Sequence, residues 1–372
     1  MKLSASKEEH LTYCTNIHPA ENWGDVRKNF EKYVLPVKKR FVPHQPFGVG
    51  LRLSAVAADE LASLDNQEEF KAFLSDHNLY IFTINGFPYG SFHGVSVKAK
   101  VYFPDWRHEE RLRYTKILAD LLAALLPSQG VEIGSISTVP GGIKPEIRTA
   151  NDIERMASLL VDIAIYLINL RAKTGKTVTL ALEPEPCCFL GTVEETIVFF
   201  RTYIFSSSSI QRVANHTGLS PFEAETALRS HLGVCLDLCH AAVMYEAPQK
   251  CIEVLRQTGI QIFKMQISAG LMIPSVTPTK IDFLRQFDDG VYLHQVVERR
   301  GSRLVPWLDL DQAIAELRPT NHGCEWRIHF HVPIFANELG EFWTTQEFIR
   351  QVLHIHRKQP ISSHLEVETY TW

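Results

Sequence analysis

Asp237 and His240 stand three residues apart where an apolar run gives way to a helical pattern, in LGVCLDLCHAAVMYE, Leu232 to Glu246. A carboxylate closing a buried strand is costly unless a cation or hydrogen-bond donors compensate it. One reading makes Asp237 the cap of the next helix, with His240 in its first turn. The other makes the pair part of a metal or proton-transfer site. Further acids, amides and imidazoles end other apolar runs. LALEPEP offers Glu183 and Glu185, FKMQISAG offers Lys264, Gln266 and Ser268, WRIHFH offers His329 and His331, and LEVET offers Glu366 and Glu368. Gathered in one place, such groups suit a divalent cation: Mn²⁺, Zn²⁺, Mg²⁺ or Co²⁺. Its charge would remove the repulsion that otherwise protonates one of the acids. Glu183 is preferred over Glu185 because it ends its run directly.

A scaffold has to bring these residues together. Eight strand-like runs recur along the chain: 11–19, 47–54, 78–86, 131–140, 177–186, 232–240, 260–270 and 363–371. Amphipathic helices lie between them. Apolar residues at 114, 117, 118, 121, 122 and 125 mark one helical face; Ile153, Met156, Leu160, Ile163 and Leu167 mark another, after an Asn151 cap and before Gly175. Strands alternating with helices imply a parallel sheet covered on both faces. Eight such repeats predict one α/β domain over 1–372, a closed (β/α)₈ TIM barrel. FSSSSI leads into a helical insertion over 205–230, before the sixth strand, and 271–335 reads as an extended loop over the barrel mouth. Chemistry in such barrels sits at the carboxyl ends of the strands.

Composition excludes several classes. The 372 residues are 45% hydrophobic and 22% charged, with a net charge of −4. No apolar run reaches membrane-spanning length, and MKLSASKEEH has no secretory core. Seven cysteines without a CxxC pair suit a reduced cytoplasmic protein better than a disulfide framework or a cysteine zinc cluster. No basic footprint for nucleic acid is evident. The expected partner is a small molecule, with no nucleic acid and no membrane; oligomerisation is open.

GVCLDLCHAAVMYE resembles the strand-end motif of the xylose isomerase-like and endonuclease IV barrel superfamily, which joins sugar isomerases and epimerases to apurinic endonucleases. That pattern places a glutamate after the fifth strand, D-x-x-H after the sixth, a histidine after the seventh and a glutamate closing the eighth. Glu183, Asp237, His240 and Glu368 match it, and His331 and His329 resemble ligands on the loop after the seventh strand. Gln266 stands where the family has histidine. The second and third strands lack the histidines of a three-zinc nuclease centre. CTNIHPAENW, FPYGSFHG, VYFPDW and HLEVETYTW resemble a divergent branch described as metabolite traffic protein EboE.

The resemblance implies isomerisation or epimerisation of a sugar, sugar phosphate or polyol through an enediolate. Glu183 and Glu368 would be the acid/base pair and metal ligands, Asp237 and Gln266 further ligands. His240, His329 and His331 would support them or form a second cation site. His18 and Asn16, ending the first strand, could bond a polyol, and Trp23, Trp106 and Trp326 could wall the pocket. Gly141-Gly142 could cradle a phosphate or simply turn the chain. The alternatives are a metabolite-binding or traffic protein without turnover and, behind it, a metal-dependent phosphoesterase.

Overall fold

The computed structural model describes residues 1–3, 8–93, 97–127, 130–287, 290–318 and 323–369. Seven parallel strands come first: β1 (His10–Tyr13), β2 (Phe47–Arg52), β3 (Leu79–Asn85), β4 (Ile133–Thr138), β5 (Thr177–Leu182), β6 (Leu232–Asp237) and β7 (Ile262–Ile267). Six short strands follow: β8 (Ala269–Ile273), β9 (Val296–Arg300), β10 (Arg303–Trp307), β11 (Glu325–Val332), β12 (Glu338–Leu339) and β13 (Phe342–Thr344). The last strand is β14 (His364–Val367). The order β1-β14-β7-β6-β5-β4-β3-β2 is parallel at every pairing. A parallel bridge between Cys14 and Gly50 brings the two edges together. The fold is a (β/α)₈ barrel.

Its helices follow from local chemistry. The long helix Ala150–Thr174 starts at Thr149, whose hydroxyl accepts the Asp152 N–H while the Asp152 carboxylate accepts the Thr149 N–H. This reciprocal box outcompetes the expected Asn151 cap, because both orphan donors of the first turn are satisfied at once. Residues 205–230 hold two helices, Ser207–Thr217 and the greater part of Pro221–His231, and the second leads straight into β6.

Between β7 and β14 the chain builds a sheet of its own in place of the expected loop. It runs β10-β9-β11-β8-β13-β12 and is antiparallel throughout. Trp326, Ile328, Leu271, Ile273 and Val296 pack in one apolar cluster with β6, β7 and the helix Gln346–Lys358. Edge-sharing between strands satisfies backbone groups that a plain buried loop would leave unpaired.

The barrel interior is unusually polar. Valine, isoleucine and leucine dominate many barrels of this kind, yet here Thr83 and Ser135 hydroxyls lie 2.9 Å apart and His364 Nδ1 lies 2.8 Å from Ser135 Oγ. Lys264 and Glu366 are both fully buried, with Nζ 2.5 Å from Oε2. Glycine makes room for this pair. A methyl group on Gly50 would lie 1.8 Å from Glu366 Oε1 and 2.9 Å from the Tyr13 carbonyl. Gly50→Ala should therefore cost at least about 1–3 kcal/mol, read as a lower urea midpoint. An unchanged midpoint would show that Glu366 can vacate the position freely.

Candidate active site at the barrel mouth

Strand alternation sends every second side chain inward, so Glu366 and Glu368, two residues apart, share a face at different depths. Glu366 sits with Lys264 inside the barrel, whereas Glu368 reaches the mouth. Asp237 ends β6 in register with Gln266 on β7. Glu183 directly follows β5, its N–H donating to Thr138 O. One carboxyl oxygen each from Glu183, Asp237 and Glu368 lies within 4.8 Å of the others, and all three residues are buried.

The hydrogen bonds within this trio are incomplete. Asp237 Oδ1 accepts the His240 N–H at 2.9 Å and the Ser268 hydroxyl at 2.8 Å. Asp237 thus does cap the helix, while its Oδ2 has no hydrogen-bond partner among the described residues, and neither has Glu183 Oε2. Burial, then the charges of Glu368 and Asp237, push the Glu183 carboxyl well above its usual range. Glu368 accepts from the Asn16 amide at 2.7 Å and from the Gln266 amide. Buried acids with outward-facing lone pairs are the donor set of a divalent cation, so the residues fit one.

A second cluster lies beside the first. His240 Nε2 is 3.0 Å from His329 Nε2, which is 2.8 Å from His331 Nε2. Each Nδ1 faces an oxygen: Pro184 O at 3.1 Å, Gln295 Oε1 at 2.7 Å and Glu368 O at 3.4 Å, respectively. Those oxygens can each accept a proton on Nδ1, the tautomer in which the three Nε2 atoms could share an ion. Second-partner bonds of this kind orient metal-binding imidazoles. Burial lowers the pKa of His240 and His331 to about 3 each, so neither is charged at neutral pH. Asp237 can join His240 and His331 around one ion, and Glu185 can join His240 and His329.

A bulge explains how β11 also sets Phe330 beside this cluster. Regular alternation would turn Phe330 away from His329 and His331, but the pairing of β11 with β8 shifts between Ile328 and Val332. Bulges re-aim side chains in this way, and all three residues line the same cavity. That cavity measures about 160 Å³. Its lining includes Glu183, Glu185, Glu368 and His240 together with Phe87, Phe92, Tyr292 and Leu293.

Other expected residues go elsewhere. Gln266 directs its amide nitrogen at Glu368 and its oxygen at the Cys235 thiol, 3.1 Å away. His18 stacks on Tyr33 with ring centroids 4.1 Å apart, outside the cavity lining. Trp23, Trp106 and Trp326 are packing residues, all buried, and Trp106 donates to Thr138 Oγ1 at 3.2 Å. Large indoles are drawn to the core because burying them removes the most apolar area from water. Gly141-Gly142 faces an acid: a methyl group at Gly142 would lie 2.7 Å from Asp105 Oδ2, so this turn is no phosphate cradle. The ends of β2 and β3 carry Arg52, which donates to Ala20 O and Gly90 O, and Asn85.

Glu185 takes a larger part than its rank in the sequence suggested. It accepts from Tyr102 OH at 2.6 Å and Gln295 Nε2 at 2.8 Å, with His329 Nδ1 at 3.4 Å. Burial alone would raise its pKa, but these donors and His240 bring it down to about 2, so it is ionised. Neither Tyr102 nor Gln295 stood out, because nothing in their local sequence marks a residue that reaches a site from a distant loop or sheet.

No family model and no curated protein matches this chain. Solved structures do. A xylose isomerase-like TIM barrel protein from Mycobacterium smegmatis in complex with magnesium is 13% identical, covers 98% of this chain and 91% of its own, and has a TM-score of 0.49. A D-tagatose 3-epimerase-like protein is 12% identical over 69% of this chain and 75% of its own, with a TM-score of 0.41. The IOLI protein with a bound zinc atom is 14% identical over 69% and 72%, with a TM-score of 0.40. At these identities the chemistry rests on this chain's own side chains. Among the described residues, no helix is long and apolar enough to cross a membrane.

Proposed function

We propose that this chain is a divalent-cation-dependent isomerase or epimerase of a small hydroxy-carbonyl compound, working in the cytoplasm. One observation carries the reading: carboxyls from three separate strand ends, Glu183, Asp237 and Glu368, converge within 4.8 Å beside a cavity that two of them line. Glu183, Asp237 and Glu368 would hold the cation; His240 and His331 stand ready to share Asp237 with it. Gln266 could add its oxygen only by turning its carboxamide over. A cation bound there supplies Lewis-acid polarisation of a carbonyl and eases loss of a proton from the neighbouring carbon. Glu183 and Glu368 take the parts of base and acid, removing that proton and returning it through an enediolate. Glu185 remains charged and, with Gln295, fixes the orientation of His329.

The second reading, a metabolite-binding or traffic protein without turnover, is favoured by the Gln266 amide that occupies Glu368. Deuterium exchange separates the two. With Mn²⁺ bound and D₂O as solvent, the enzyme reading expects about one cation per chain and deuterium beside the carbonyl of an accepted substrate. A panel of hydroxy-ketones, ketoses and ketose phosphates that bind yet return unlabelled would leave the traffic reading standing.

A further inference from the structure

We propose, on the basis of the hydroxy-carbonyl chemistry above, that the substrate is a neutral amphipathic molecule. Its reacting hydroxy-carbonyl end carries a compact apolar group, such as a ring or a branched chain, in place of the hydroxyls of a free sugar or the phosphate of a sugar phosphate. The cavity's lining is mixed in a way that matches such a molecule. Acids and imidazoles share it with Phe87, Phe92, Val101, Phe287, Tyr292 and Leu293. A polyol seated there would leave hydroxyls against aromatic rings, where they lose water without gaining a partner.

The polar groups on the lining are largely engaged with the protein itself. Tyr102 OH donates to Glu185, and Asn85 Oδ1 accepts the Phe87 N–H at 3.1 Å. Among the described residues, Lys98 is the only lysine or arginine on the lining, and its ammonium lies 2.7 Å from Asp309 Oδ2. A phosphate would thus meet a cation already neutralised, and it would share the cavity with Glu183, Glu185 and Glu368. Apolar lining with a few convergent polar groups is the usual architecture for a small ligand of mixed polarity.

Calorimetric titration with three probes tests this, both with and without saturating Mn²⁺: 2-hydroxyacetophenone, D-fructose and D-fructose 6-phosphate. The aromatic ketone should bind at least tenfold more tightly than either sugar. Leu293→Ala should weaken the aromatic probe several-fold and leave fructose unchanged. Phe287→Ala, at a half-exposed ring that meets Phe342 edge-on, should do the same. Equal or tighter binding of either sugar, no binding by any probe, or unaltered aromatic affinity in both variants overturns the proposal. Should neither variant fold, the ranking on the unmodified chain decides. Because binding is read at equilibrium, an aromatic preference without deuterium exchange would refute the isomerase reading and spare this one. Exchange into fructose without that preference would do the reverse.

Discussion

Glu183→Gln is expected to weaken divalent-cation binding roughly 10²- to 10³-fold, the equivalent of stranding a buried charge at about 3–5 kcal/mol. The same change should stabilise the cation-free protein at neutral pH. Burial and the neighbouring Glu368 and Asp237 raise the Glu183 pKa well above its ordinary 4.5, although Lys264 pulls the other way. A group that holds its proton more tightly when folded contributes stability in full below its unfolded pKa. It loses that contribution as the pH rises through the folded value. Glutamine has no proton to lose, so the variant should gain about 1–4 kcal/mol at pH 7.5 in EDTA. The gain should vanish below pH 4.5, and saturating cation should reverse the ranking. Urea unfolding at the two pH values, with and without Mn²⁺, measures all of this. Equal midpoints together with equal cation affinity would mean that Glu183 neither feels its neighbours nor meets an ion.

Lys264→Met should be the most damaging single change in the barrel. Lys264 is paired with Glu366 at 2.5 Å, and neither side chain is exposed. Burial works to lower the lysine pKa, but the Glu366 charge outweighs it and leaves the pKa raised. Without the ammonium, Glu366 would be an uncompensated acid beside Gly50 and Ser137, at a cost of about 3–5 kcal/mol. For a chain of 372 residues that lowers the Tm by roughly 4–6 °C. Adding Glu366→Gln removes the stranded charge, so the double variant should recover most of the loss. Calorimetry on the single and double variants decides it; a double variant no more stable than Lys264→Met would show that packing, and not charge, holds this region.

Much of the scaffold was legible along the chain because strand and helix periodicities are local. Each apolar run read as a strand contains or overlaps a barrel strand, from His10–Tyr13 to His364–Val367. D-x-x-H was legible too, and the two readings of Asp237 turn out to be compatible: one oxygen caps the helix while the other faces the acids. Local signals failed where two of them competed, as when the Thr149–Asp152 box displaced Asn151. They also failed for His18, at the end of the first strand, and for Trp106, in the loop after the third, whose rings are taken by Tyr33 and Thr138.

The amino-acid sequence by itself determined the barrel strands and the stock of acids and imidazoles at their ends, since alternation and capping depend on residues only a few positions apart. Only the tertiary structure decided how that stock is divided. Strand pairing and curvature set Glu183, Asp237 and Glu368 together and gave Glu366 to Lys264, while the placement of β11 brought His329 and His331 to His240. The reason is physical: electrostatic partnership depends on distance through space, and residues more than one hundred positions apart become neighbours only when their strands pair in one curved sheet.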